Sequence, residues 1–328
     1  MAVISYIDAV NSALREEMSR DPKVFVLGED VGFKGGVFKA TQGLYEQFGK
    51  ERVLDTPLAE SAIAGVAIGA AAYGFRPVAE MQFADFIMPA VNQIVSEAAK
   101  MRYRSNGDWN CPLVIRAPYG GGIHGALYHS QSVEAMFCNV PGLKVVAPST
   151  PYDVKGLLKA AIRDEDPVLF FEHKRCYRMI KGEVPESDYV VPIGKADIKR
   201  EGKHLTVISY GMTLHFALQA AERLQEEDGY SAHVLDLRTL YPLDKESIIE
   251  AAQKTGKVLI VHEDNKEGGL GGEVSAVIAE ECLFDLDAPI RRLGSPDVPA
   301  MPYNGGMEKF FMLNPDKVYE AMKELAEF

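Results

Sequence analysis

Two α/β domains in series are what this 328-residue sequence predicts. Three observations lead there. Short apolar runs of strand type alternate with stretches of helical periodicity over residues 1–181. The alternation weakens over 182–203, where Gly182, Pro185, Pro192, Gly194 and Gly202 stand among many charges. It then resumes over 204–328. Strands that alternate with helices build parallel sheets covered on both faces.

The elements follow in order. Residues 5–19 set Ile7, Val10, Leu14 and Met18 at helical spacing, and Val24–Gly28 is an apolar run closed by glycine. Residues 60–73 read as a helix of small residues, 77–81 as a strand, 86–103 as a longer helix and 113–117 as a strand. Strand 144–147 leads to a helix over 152–163 with Pro151 near its start, and 168–172 is another apolar strand. In the second domain, strands at 205–211, 231–238 and 257–262 alternate with helices at 213–227, 244–254 and 272–283. The segment 182–203 reads as the connection between the two.

Composition narrows the function. Lys and Arg number 35 against 47 Asp and Glu, a formal charge of −12. A chain so acidic lacks the basic surface that phosphate neutralisation needs, which argues against nucleic acid and anionic membranes as partners. Its most apolar stretch, 61–73, is too short to span a bilayer. Cys111, Cys138, Cys176 and Cys282 are scattered without metal-type spacing, as free thiols in a reducing compartment are. With no secretory leader evident at the start, a cytoplasmic location is the expectation.

Four segments carry candidate chemistry. Gly268–Gly272 follows a strand and opens a helix, but Glu263, Asp264, Glu267 and Glu273 surround it with negative charge. It therefore reads as a tight turn or close chain contact, not a phosphate cradle. Glu60 stands at the start of an apolar helix. Either it simply favours the helix N-terminus, or it is buried among Leu58, Ala62 and Ile63 with a raised pKa. Gly65 and Gly69, four apart, would let a second helix approach closely. His124 and His129 share a glycine-rich loop after a strand end, where parallel sheets bind ligands and histidine exchanges protons near neutral pH. Phe83 and Phe86 are either core or a face for a planar ring.

Taken together, Leu27–Val31, Asp55–Glu60, Gln82–Phe86, His129–Gln131, Pro141–Val146 and Asp236–Leu240 resemble the beta subunits of thiamin diphosphate-dependent 2-oxo acid dehydrogenases. The resemblance covers essentially the whole chain. The run Gly125–Gln131 is most similar to the branched-chain 2-oxo acid members, with pyruvate and acetoin members as the alternative. A nucleotide-binding dehydrogenase is the rival class, but Gly28–Gly32 does not supply its G-x-G-x-x-G.

The resemblance implies a thiamin-binding pyrimidine domain followed by a smaller transketolase-type C-terminal α/β domain. It also implies an α2β2 heterotetramer with thiamin diphosphate shared between alpha and beta chains. The chain has no Gly-Asp-Gly, so Mg²⁺ and the diphosphate are expected on the alpha subunit. Glu60 matches the family's catalytic glutamate, which hydrogen-bonds the cofactor's pyrimidine nitrogen. Phe86 matches an aromatic packed on the same ring, where some relatives have Tyr, and the backbone of Leu58 touches that ring. His129 is expected near the reacting carbons, positioning substrate or passing a proton during acyl transfer to lipoamide. Glu29 is expected in a carboxylate network near the cofactor. Some relatives hold a potassium ion at positions matching Leu113, Ala161, Asp164 and Asp166, although Asp166 stands where they have Asn. Relatives also dock on a lipoyl-bearing acyltransferase core through the C-terminal domain and terminal carboxylate, here that of Phe328.

Overall fold

The computed structural model describes residues 1–328. It forms two compact units, Met1–Tyr119 with Phe137–Ile193, and Gly120–Met136 with Gly194–Phe328. The sequence alone puts residues 1–181 in one domain. By packing, the segment Gly120–Met136 goes with the second unit instead.

The strands of the first unit are β1 (Ala2–Ser5), β2 (Val24–Gly28), β3 (Val53–Asp55), β4 (Arg76–Glu80), β5 (Val114–Tyr119), β6 (Lys144–Val146), β7 (Val168–His173) and β8 (Lys181–Val184). Within this unit the sheet runs β6-β7-β5-β4-β2-β3, with every pairing parallel. These strands are buried apolar runs without polar alternation, as a sheet covered on both faces requires. The register aligns Asp55, Gly28, Glu80 and Arg116 across neighbouring strands, so their carboxyl ends form one row. A side chain on Gly28 would meet the Glu80 carbonyl oxygen at 2.7 Å, so glycine lets β2 and β4 close together there.

Helix Tyr6–Arg20 starts where the Ser5 hydroxyl accepts from the Asp8 amide, and it packs against helix Pro151–Arg163. Helix Glu60–Ala72 buries Ile63, Ala64, Ala67, Ile68 and Ala71 and leaves Ala62, Gly65, Val66 and Gly69 exposed. No atom lies within 4 Å of where a side chain on Gly65 or Gly69 would begin. The long helix predicted over 86–103 is instead a chain of short turns. These are 3₁₀ at Ala84–Phe86 and Met88–Ala90, a π-turn at Gln93–Ala98, and a last α-turn at Met101–Arg104. Pro89 removes an amide from the ladder, which accounts for the break at its start.

The second unit contains β9 (Asp197–Arg200), β10 (Leu205–Ser209), β11 (Ala232–Asp236), β12 (Thr239–Tyr241), β13 (Val258–Asn265) and β14 (Arg291–Ser295). Its five-stranded sheet runs β14-β13-β10-β11-β9, parallel except for the edge strand β9. The segment read as a connection thus contributes two short strands, since β8 pairs antiparallel with β1 as well. The glycine turn before helix Gly271–Cys282 packs on the His262 ring. A side chain at Gly269 or Gly271 would lie 2.6 Å from it. No helix is long and apolar enough to cross a membrane.

Candidate active site

In the first unit the candidate residues cluster at the carboxyl ends of β2, β3 and β4, the edge where parallel sheets take ligands. Glu29 follows β2, Leu58 and Glu60 follow β3, and Phe86 follows β4. The loop after Glu29 is pinned in place. The Gly32 amide donates to Asp55 Oδ1 at 2.6 Å, and Thr41 Oγ1 donates to the Val31 carbonyl at 2.7 Å.

Glu29 is only 4% exposed, and neither of its carboxylate oxygens has a hydrogen-bond partner. Burial pushes its pKa up, and the charges of Glu60, Asp30 and Glu80 push it the same way. A buried carboxyl without a partner is costly in a protein interior unless something else completes its surroundings. Thr56 Oγ1, buried in the same segment that leads to Glu60, is also unpartnered. These oxygens are open to a ligand that brings its own hydrogen-bond donors.

Glu60 itself is half-buried at the first position of its helix, and Leu58 and Ala62 are exposed. The apolar enclosure of Glu60 read from the sequence is therefore not formed by Leu58 and Ala62 within this chain. The buried acid here is Glu29. Phe86 is half-buried in its 3₁₀ turn, edge-on to Phe83 at 5.8 Å, and Phe83 is edge-on to Phe38 at 5.4 Å. This aromatic run fixes the orientation of the Phe86 ring.

Beneath the cluster lies an ion network that the sequence reading missed. Arg116 is fully buried and donates through Nε and Nη2 to both oxygens of Glu172, at 2.6 and 2.7 Å. Its Nη1 donates to Glu80 Oε2, and Tyr177 Oη donates to Glu172 Oε2 at 2.6 Å. Burial works against the Arg116 charge, but Glu172 and Glu80 outweigh it and the guanidinium stays ionised. Burial lifts the Glu80 pKa even beside that cation, and the charge of Glu172 adds to the rise. The signal in the sequence is a lone Arg inside an apolar strand, with a Glu at the end of β4 and another one residue before the end of β7.

His129 is carried by the second unit, on a loop whose base is closed by the Gly120 amide donating to the Gln131 carbonyl at 2.9 Å. The same unit holds an acidic group, buried Glu134 and Glu263 with half-buried Asp264. Glu263 Oε1 accepts from the Gly121 amide at 2.5 Å, and Glu134 Oε1 accepts from Tyr210 Oη at 2.8 Å. Burial, with Asp264 and Glu263 nearby, pushes the Glu134 pKa up to about 8. Its folded value therefore lies above the unfolded one, and the folded state holds the extra proton. Stability from this group is full below the ordinary carboxylate range and is lost as pH rises toward 8. Glu134→Gln keeps the oxygen acceptor and removes the charge. Its stability should match wild type at pH 5 and exceed it at pH 8 by about 1–2 kcal/mol, read as paired thermal melts.

The potassium candidates lie in another corner of the first unit. The Asp164 carboxylate takes Lys144 Nζ at 2.7 Å on both oxygens, and its main-chain oxygen accepts from Arg76 at 2.9 Å. Asp166 Oδ1 accepts from Arg102 at 2.5 Å. The Leu113 and Ala161 carbonyls accept from the Val168 and Asp164 amides. Each of these four positions thus has an oxygen that already accepts at least one hydrogen bond. No group of three or more His, Cys, Asp or Glu side chains is arranged to hold a metal.

The two α/β units have the domain types of a thiamin diphosphate-dependent protein of the transketolase type. Residues 2–179 match the pyrimidine-binding domain of transketolases, and residues 194–318 match the transketolase C-terminal domain. The chain is 77% identical over 328 residues, all of both chains, to the 2-oxoisovalerate dehydrogenase subunit beta of Bacillus subtilis (strain 168). It is 47% identical, again over both full lengths, to the pyruvate dehydrogenase E1 component subunit beta of the same organism. A solved structure described as a split gene transketolase, inactive beta4 tetramer, superposes with a TM-score of 0.79. That match has 27% identity and covers 99% of this chain and 98% of the other. The chain belongs to the family of 2-oxo acid dehydrogenase beta subunits.

Proposed function

We propose that the chain is the beta subunit of a branched-chain 2-oxo acid dehydrogenase. It works with an alpha subunit in an α2β2 tetramer that decarboxylates branched-chain 2-oxo acids and passes the acyl group to a lipoyl-bearing acyltransferase. What carries the substrate reading is the 77% identity over the whole length to the 2-oxoisovalerate enzyme, against 47% to the pyruvate enzyme.

Bound thiamin diphosphate supplies the carbanion and the electron sink for decarboxylation. The beta chain's part is to hold the pyrimidine end. Glu60, at a helix start beside the sheet edge, takes the role of hydrogen-bonding the ring nitrogen. Phe86 offers its ring for packing, and Leu58 its backbone. Glu29, its pKa raised by burial and by the charge of Glu60, puts less negative charge beside the ring than an ordinary carboxylate would. The diphosphate and Mg²⁺ belong to the alpha chain, because this chain lacks Gly-Asp-Gly. His129 serves acyl transfer to the lipoyl group.

The test is turnover by the tetramer reconstituted with its alpha subunit, Mg²⁺ and thiamin diphosphate. We expect kcat/KM for 3-methyl-2-oxobutanoate to exceed that for pyruvate by about tenfold or more, since a pocket shaped for a branched chain gains about 1–3 kcal/mol from the extra carbons. Preference for pyruvate would refute the substrate reading.

A further inference from the structure

One side chain on the His129 loop, that of His124, is held by contacts that take no part in the proposed chemistry. His124 has φ +59° and Ala126 has φ +53°, left-handed conformations that non-glycine residues adopt at a cost. A loop that holds two such residues needs outside support. Its base has that support from the Gly120–Gln131 and Gly121–Glu263 hydrogen bonds. At its tip, His124 is tied to residues outside the loop. The Nδ1 of His124 donates to Glu308 Oε2 at 2.7 Å, and its ring stacks on Tyr303 with centroids 4.6 Å apart and planes 29° from parallel. Glu308 Oε1 is buried and has no partner, so that carboxylate depends on His124 for a hydrogen bond.

The next residue passes this constraint on. A side chain at Gly125 would lie 2.7 Å from His129 Cβ and 2.8 Å from its carbonyl oxygen. Gly125 thus packs directly against the His129 backbone, and a shift at 124 reaches 129 within one residue. Gln131 Nε2 donates to the Leu127 carbonyl at 3.0 Å and keeps the intervening turn closed. All these residues belong to the second unit.

We propose that His124 is a positioning residue. Through Glu308 and Tyr303 it ties the tip of the loop to helix Gly305–Phe311 and the segment before it, and so sets the place of the His129 imidazole. The functional consequence rests on the assignment of His129 to acyl transfer. The structural claim does not.

The experiment uses the reconstituted tetramer with His124→Ala, Glu308→Ala and Glu308→Gln, and His129→Ala as reference. Two rates are read: decarboxylation with an artificial electron acceptor, and reductive acylation of an isolated lipoyl domain. We expect both alanine variants at 124 and 308 to lose about tenfold in kcat for lipoyl acylation at unchanged KM, with the artificial-acceptor rate held within about twofold. Glu308→Gln keeps an oxygen acceptor for Nδ1 and should recover most of the loss. A crystal structure of the His124→Ala tetramer should show residues 122–129 displaced or disordered. An unmoved loop overturns the proposal whatever His129 does. So does equal loss of both rates together with a lowered melting temperature, which marks a merely structural contact. If the loop moves while His129→Ala itself acylates at the wild-type rate, the assignment of His129 fails and the positioning claim stands.

Discussion

Replacing Glu60 by Gln should lower decarboxylation by the reconstituted tetramer by about 10²–10⁴-fold, the range that a positioned acid or base supplies. The two side chains have the same shape, and Glu60 is half-buried with exposed neighbours, so the fold has no reason to notice the change. An amide in that place can still touch a ring nitrogen, but it can neither take nor return a proton. The loss should therefore fall in kcat, with the KM for substrate little altered. Glu29→Gln makes the informative contrast. Glu29 is the more deeply buried of the two and influences Glu60 through charge. Its neutral analogue resembles the protonated form that burial already favours, so its effect should be much the smaller. Wild-type turnover by Glu60→Gln would remove Glu60 from the mechanism.

The sequence makes the frame of this site legible and leaves its electrostatics hidden. Val24–Gly28 and Val168–His173 read as strands because they are unbroken apolar runs, a pattern that parallel pairing demands on both faces. The short strands β1, β8 and β9 do not read that way. They lie at antiparallel edges, are partly exposed, and carry Lys181, Glu183, Asp197 and Lys199 where an alternating pattern would have to show. Residues 86–103 have helical periodicity, yet Pro89 and the π-turn at Gln93–Ala98 divide them. The positions of Glu60 and Phe86 relative to their elements follow from local pattern, and so do those of Glu29 and His129. Which carboxylate is buried does not follow, because burial depends on partners far along the chain. Arg116 meets Glu80 and Glu172 across 36 and 56 residues of sequence. No local window contains that pairing. In the same way, the attachment of Gly120–Met136 to the second unit rests on Glu263 and Met301, more than a hundred residues downstream.

The same network sets the largest stability effect we expect. Arg116→Leu fits a buried apolar volume but strands two carboxylates, Glu80 and Glu172, in the interior without their cation. Breaking a buried pair in this way costs about 3–5 kcal/mol, because the surviving charge has lost both water and partner. A drop of roughly 10 °C in melting temperature is the expected reading. Tyr177→Phe removes one donor to Glu172 and leaves the ion pairs intact, so it should cost less, about 1.5–3 kcal/mol. The pH dependence separates charge from packing. In Arg116→Leu the carboxylates can stay buried only by taking protons, so their folded pKa values rise above the unfolded ones. The folded state then binds more protons, and stability increases as pH falls. The gap between variant and wild type should therefore narrow from pH 8 to pH 5. A gap that stays constant would mean that lost packing, not stranded charge, is the cause. The consequence reaches the site, because the Glu80 backbone lies against Gly28, the residue before Glu29, and its Oε1 lies 3.5 Å from where a side chain on Gly36 would begin. With Arg116 gone, Glu80 loses the group that fixes its carboxylate, next to the strand end that carries Glu29. Activity in the folded fraction of Arg116→Leu should then fall as well, whereas Tyr177→Phe, which leaves Glu80 held, should keep it.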